Sequence, residues 1–133
     1  MIFPTVSAQT AGILIILQSL LMLWTAMTRR KFKQPFGGEE PKLVKRNRAH
    51  GNLAENAAIF LIALALLEMG GMAAGTVTLL AGAFVAVRLS HVIGVGILPP
   101  GGNPLRVIGT MGTFFINITA GGLLINTYGV LLL

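Results

Sequence analysis

Four long, predominantly apolar stretches, at about 6–27, 53–74, 76–98 and 105–133, dominate the chain and leave most of its charged residues in one short hydrophilic segment. Each stretch is long enough to cross a hydrocarbon core, which takes roughly 20 helical residues. Only 11% of the 133 residues are charged and 54% are hydrophobic, a balance that a water-soluble domain of this length does not tolerate. Strands are excluded, because a lipid-spanning strand alternates polar and apolar residues and must close into a barrel. The pattern predicts an all-α fold, a single integral membrane four-helix bundle over residues 1–133. Its helices are expected at about 5–28, 46–74, 76–98 and 105–132.

The charges orient that bundle. Eight of the ten Lys and Arg residues lie between Arg29 and Arg48, and only Arg88 and Arg106 lie elsewhere. By the positive-inside rule the loop at 29–46 faces the cytoplasm, and four crossings then put both termini on the opposite side. The formal charge of +6 belongs to this cluster. No aromatic or glycine motif for bases accompanies it, so nucleic acid is not an expected partner. The first stretch is not a signal peptide, since its positive charge at Arg29-Arg30-Lys31 follows the apolar run instead of preceding it. Breaker-rich segments separate the helices: Gln34 to Pro41 within the linker 32–46, Gly70-Gly71, and Pro99 to Pro104. The absence of cysteine rules out disulfides, thiolate metal sites and a cysteine nucleophile, so any sulfur chemistry belongs to a substrate.

Ionisable groups within membrane helices are costly and call for a partner or a wet cavity. Arg48, Asn52 and Glu55 stand at i, i+4 and i+7 on the second helix, with Asn56 beside them. Arg88 and His91 share a face of the third helix, and Arg106 opens the fourth. Three guanidinium groups, a carboxylate, an imidazole and an amide suit a small zwitterionic ligand with excess negative charge. Taken singly, each residue also has a simpler reading. Arg48 can be a snorkelling anchor, Glu55 a bridge to Arg48 or Arg88, and His91 a hydrogen-bonded interior histidine. No metal site is expected, because His91 has no second suitably spaced histidine on its helix. Glu68 reads as a solvated helix end at the far surface, outside the site. The Gly71 to Gly75 repeat, Gly109, Gly112 and Gly121-Gly122 mark places where helices can approach closely. Asn117 and Thr119 read as interhelical hydrogen bonders.

The segment Arg48-Ala-His-Gly-Asn52-Leu-Ala-Glu55-Asn56 resembles the Arg-x-x-x-Asn-x-x-Glu signature of the MAPEG family, the membrane-associated proteins of eicosanoid and glutathione metabolism. Arg29-Arg30, Arg88-x-x-His91 and Leu105-Arg106 extend the resemblance in order along the chain. It implies a homotrimer of four-helix protomers that binds glutathione near the cytoplasmic side, between helices of neighbouring subunits. On the matching positions, Arg29, Arg48, Asn52, Glu55, Arg88 and His91 hold the tripeptide, and Arg106 faces its sulfur. Asn56 and Val95 stand where eicosanoid-forming members often carry tyrosines, which points away from an eicosanoid as second substrate. A bacterial inner-membrane member is the best fit.

The chemistry implied is activation of glutathione as a thiolate, for attack on lipophilic electrophiles arriving from the bilayer or for reduction of lipid hydroperoxides. A free thiol titrates near about 8.5, and only the thiolate is a good nucleophile, so a fixed cation at Arg106 is the activating group. Two other functions remain compatible with these residues: a non-catalytic glutathione- or lipid-binding member of the family, and a small proton-coupled exporter of cationic drugs with Glu55 as the exchanging carboxylate.

Overall fold

The computed structural model describes residues 3–99 and 103–129. The helices are α1 (Thr5–Lys31), α2 (Pro41–Met69), α3 (Ala74–Val92) and α4 (Pro104–Tyr128), and α3 runs on into a π-helical turn, Ile93–Ile97. Counting that turn with α3, four helices are long and apolar enough to cross a membrane. No strand occurs among the described residues. The all-α membrane bundle expected from the apolar stretches is the fold that forms. Residues 100–102 of the proline turn and the expected extension of the fourth helix past 129 lie outside the described residues.

The helices alternate in direction, so two distinct ends arise. Val6, Leu66, Glu68 and Tyr128 meet at one end, where the Tyr128 hydroxyl donates to the Leu66 carbonyl. Arg29, Asn47, Lys45 and Leu98 meet at the other. Between them a core of Leu14, Leu21, Leu53, Leu64 and Leu67 surrounds Phe60 and Phe84. Those two rings stack with centroids 3.8 Å apart and planes 4° from parallel, joining α2 to α3. The outward side chains are apolar as well, among them Ile15, Ile16, Leu20, Ile59 and Ile62. Lipid tails are as apolar as leucine, so it is close packing rather than escape from water that must hold such helices together.

The closest packing lies between α3 and α4. A Cβ at Gly109 would collide with the His91 backbone, one at Gly112 with the Val87 side chain, and one at Gly94 with the Arg106 backbone. The other glycines singled out by pattern do no such work within the protomer. Gly71 sits in the α2–α3 turn at φ +82°, Gly75 in the first turn of α3, and nothing lies within 4 Å of a Cβ built on either. The repeat therefore straddles a turn and forms no helix face. Gly121 and Gly122 also face open space.

Two helix ends differ from expectation. The second helix starts at Pro41, inside the segment expected to be linker, and stops at Met69 rather than near 74. Proline is favourable at a first helical position, where its missing N–H has no partner to lose, and the Glu40 carboxylate accepts from Lys42 N behind it. Glu68 lies at the helix end, outside the cavity, as expected, but it does more than end α2. Its carboxylate accepts from Val6 N and Ser7 N, each at 2.8 Å, and from Ser7 Oγ at 2.7 Å. The Pro4 cap of α1 offers no side-chain acceptor, so the exposed N–H groups at the start of α1 are met by a carboxylate from α2. Asn117 does bridge helices, donating to Asn56 Oδ1, whereas Thr119 donates to Phe115 O within its own helix.

At the loop end, Arg46 lies 4.2 Å over the Trp24 ring and donates to Thr28 Oγ1, which in turn donates to Trp24 O. This contact locks α1 to the newly started α2.

Candidate functional site

A cavity of about 510 Å³ opens at the loop end among α2, the π turn and the start of α4. Lys45, Arg48 and Asn52 of α2, His91 of α3 and Arg106 of α4 line it, with Val95 and Asn103 between them. Among the described residues the lining contains no carboxylate. Its volume lies within the range of about 300–1,000 Å³ usual for small-molecule sites.

The polar stripe of α2 divides as the helix turns. At about 100° per residue, Asn52 and Asn56 lie about 40° and 80° round from Arg48 to one side, and Glu55 about 20° to the other. The structure follows that drift. Asn52 turns towards α3 and α4, where its Oδ1 accepts from Arg88 Nη1 at 2.7 Å. Glu55 is exposed on the outer side of α2 and lines no part of the cavity.

Arg88 is only 1% exposed and ties three helices together. Besides Asn52, it donates from Nη2 to the Gly109 carbonyl at 3.0 Å, the same oxygen that Thr113 Oγ1 reaches at 2.6 Å. Its partner is thus an amide and not the Glu55 carboxylate. Arg88 stands behind Asn52 rather than in the loop-end cavity, and it fixes the face that Asn52 presents to a ligand.

Arg106 is placed by two local devices. Asn103 caps α4, its Oδ1 accepting from Leu105 N at 3.0 Å, and its Nδ2 donates to Gly94 O at 2.9 Å. The cap therefore binds the start of α4 to the π turn, and Arg106 follows in the first helical turn, exposed towards the cavity it lines. The N-terminal end of α4 adds its own partial positive charge there.

Of the residues picked from the sequence, Arg48, Asn52, His91 and Arg106 converge on one cavity, with Arg88 directly behind them. Arg29 and Glu55 do not join them within the protomer. Arg29 spans the linker and α2, donating to Pro35 O and Asn47 Oδ1, each at 3.0 Å. Lys45 was missed, although it lies one turn before Arg48 on the same stripe. Its Nζ donates to Leu98 O at 3.1 Å and closes the cavity's outer wall. The π turn was missed too, its only trace being the paired glycines of Ile93-Gly94-Val95-Gly96-Ile97. Such turns widen a helix locally and are frequent at functional sites.

The sequence pattern of the MAPEG family matches residues 7–126, which includes every one of these side chains. The chain belongs to the MAPEG family. No curated protein and no solved structure gives a match. The family includes glutathione transferases as well as members without catalytic activity. This MAPEG protein is accordingly an integral membrane protein of a glutathione-related group, with a basic cavity at one end of its bundle.

Proposed function

We propose that this protein is a glutathione-dependent transferase or peroxidase acting on lipophilic substrates from the bilayer. The carrying observation is the loop-end cavity, whose ionisable lining is Lys45, Arg48, His91 and Arg106 with no acid. Glutathione brings two carboxylates, one ammonium group and a thiol, so such a lining matches its excess negative charge. It supports an anionic ligand over the cationic drug of an exporter, which these same side chains would repel.

In this reading Arg48 and Lys45 take the carboxylates, Asn52 pairs with a peptide group, and Arg88 and His91 hold the wall behind them. Arg106 faces the sulfur. A fixed cation beside a helix N-terminus favours the thiolate, each unit of lowered thiol pKa being worth about 1.4 kcal/mol. The thiolate attacks an electrophilic carbon, a C–S bond forms, and the displaced electron pair leaves with the leaving group or passes to a conjugated carbonyl that then takes a proton. With a hydroperoxide, sulfur attacks the distal oxygen and the O–O bond breaks, releasing an alcohol. The resulting sulfenic acid condenses with a second glutathione to a disulfide and water.

Glu55 and Arg29 fit a homotrimer in which they complete the cavity of a neighbouring copy, Glu55 accepting from the glutathione ammonium. The connection between α1 and α2 lies in the cytoplasm, on the side where glutathione is supplied, and an inner bacterial membrane is the matching location.

An ultraviolet difference titration of the purified protein with glutathione tests the reading. A saturable thiolate absorbance that Arg106→Ser abolishes supports it. Glutathione binding with no thiolate in the wild type favours a non-catalytic member, and no binding at all removes glutathione from the account.

A further inference from the structure

A second cavity, of about 280 Å³, lies deeper in the bundle between α2 and α4. Asn56, Arg88, Thr113 and Asn117 supply its polar lining, and the exposed side chains of Phe114 and Ile118 flank it. Asn52 and Thr110 border both cavities, so the two are neighbours along one crevice. Asn117 stands about 20 Å along α4 from Pro104, close to the middle of a hydrocarbon core about 30 Å thick.

Polar groups at that depth need partners, and here they are not fully supplied. Arg88 is buried, yet its Nε has no hydrogen-bond partner. The Asn117 to Asn56 contact is long, at 3.4 Å, while each amide has two donors and two lone pairs to satisfy. A purely structural bridge requires no empty space beside it. This one borders a cavity that is open on the apolar side.

We propose that this deeper cavity binds a neutral oxygen-bearing group on an elongated acyl chain, with Asn117 and Asn56 as the residues that read the oxygen and the buried Arg88 forming the wall behind them. The occupant enters through hydrocarbon, which disfavours an ionised group, and its oxygen accepts from Asn117 Nδ2. The reaction part of the inference rests on the glutathione reading above. Thr110 lies one turn beyond Arg106, and Asn117 lies a further seven residues on, about 10 Å deeper. The preferred substrate class is therefore a long chain with two polar points: an electrophilic carbon at the level of Thr110 and a hydroxyl or carbonyl roughly 10 Å further into the bilayer.

Two readouts on the same nanodisc-embedded protein test this. The first compares glutathione conjugation of 2-dodecenal with that of 12-hydroxy-2-dodecenal. The hydroxylated chain is expected to have a KM lower by about three- to tenfold, the value of one net hydrogen bond, and Asn117→Leu to bring the ratio close to one. The second needs no turnover. Photolabelling by a diazirine-bearing dodecanol is expected within 110–118, with competition by dodecanol and not by dodecane. Equal KM values for the two enals in the wild type, or equal competition by alcohol and alkane, would overturn the proposal even if Asn117→Leu does not fold. Oxygen-selective labelling without any conjugation would sustain the cavity and remove the glutathione reaction instead.

Discussion

The two ends of this bundle use the same kinds of polar residue for opposite purposes. At the closed end Glu68 accepts three hydrogen bonds from Val6 and Ser7, and Tyr128 reaches the Leu66 carbonyl, so the polar groups there pair with one another. At the loop end Lys45, Arg48, His91 and Arg106 surround open space with no carboxylate among them. A paired carboxylate stabilises a helix junction, whereas the cations Lys45, Arg48 and Arg106, with no carboxylate beside them, create a demand that an anionic ligand can meet. The difference explains why one acid of α2, Glu68, is structural and the other, Glu55, is left facing outwards.

The largest expected effect comes from the open end. Arg106→Ser removes the cation facing the proposed sulfur and leaves Arg48, Lys45 and Asn52 in place. Turnover should fall on the order of 10²-fold, a loss typical of removing one preorganised electrostatic stabiliser, while glutathione affinity changes little. Stopped-flow thiolate absorbance and equilibrium binding measured side by side check this. An unchanged rate would dissociate Arg106 from the chemistry.

The next largest concerns the seam that carries the site between those ends. Gly109→Ala places a methyl group against the His91 backbone and should destabilise the protein by about 1–3 kcal/mol, as overpacking does elsewhere. Gly121→Ala, on the same helix but facing open space, should be neutral or slightly stabilising through helix propensity. Thermal unfolding in one detergent compares them. Equal losses in the two variants would mean that the α3–α4 contact does not depend on Gly109.

How much of this was legible in the residues follows from the range of the interaction involved. Periodicity and hydropathy act within one helix, and they located all four helices and the faces bearing Arg48, Asn52, Arg88 and His91. The start of α2 at Pro41 was hidden because proline reads as a breaker in the middle of a segment and as a favourable residue at a first helical turn. The capping role of Glu68 was hidden for a different reason. Its partners lie more than sixty residues away, on a helix end whose own cap position holds Pro4. The position of Arg106 depends on Asn103 reaching Gly94, a contact between two elements that no spacing rule within either one reveals.

Glu68→Ala breaks the closed end alone. Losing a charged cap and three hydrogen bonds should lower stability by about 1–2 kcal/mol, and it should leave the glutathione titration unaltered because the loop-end cavity is built at the opposite end of the bundle. A shift in unfolding midpoint with an unchanged thiolate signal would show that the two ends are energetically separate. A parallel loss of glutathione affinity would instead mean that the α1–α2 junction is felt along the whole length of the bundle.

The smallest effect, and the one that sharpens the comparison most, belongs to Asn103→Ala. The substitution removes the cap of α4 and the link to Gly94 together, at a cost of about 1 kcal/mol in stability. That is less than the closed-end variant should lose, yet its consequence for function should be greater, because Arg106 lies in the first turn that the cap holds. Asn103→Ser keeps a side-chain acceptor for Leu105 N, adds no charge to the cavity, and loses the amide donor to Gly94. If the cap alone matters, the serine variant should restore both stability and thiolate formation. If the link to the π turn is what holds Arg106 against the cavity, stability should return while thiolate absorbance stays low. The two variants thus separate a helix end that is merely stable from one held in register with the site it serves.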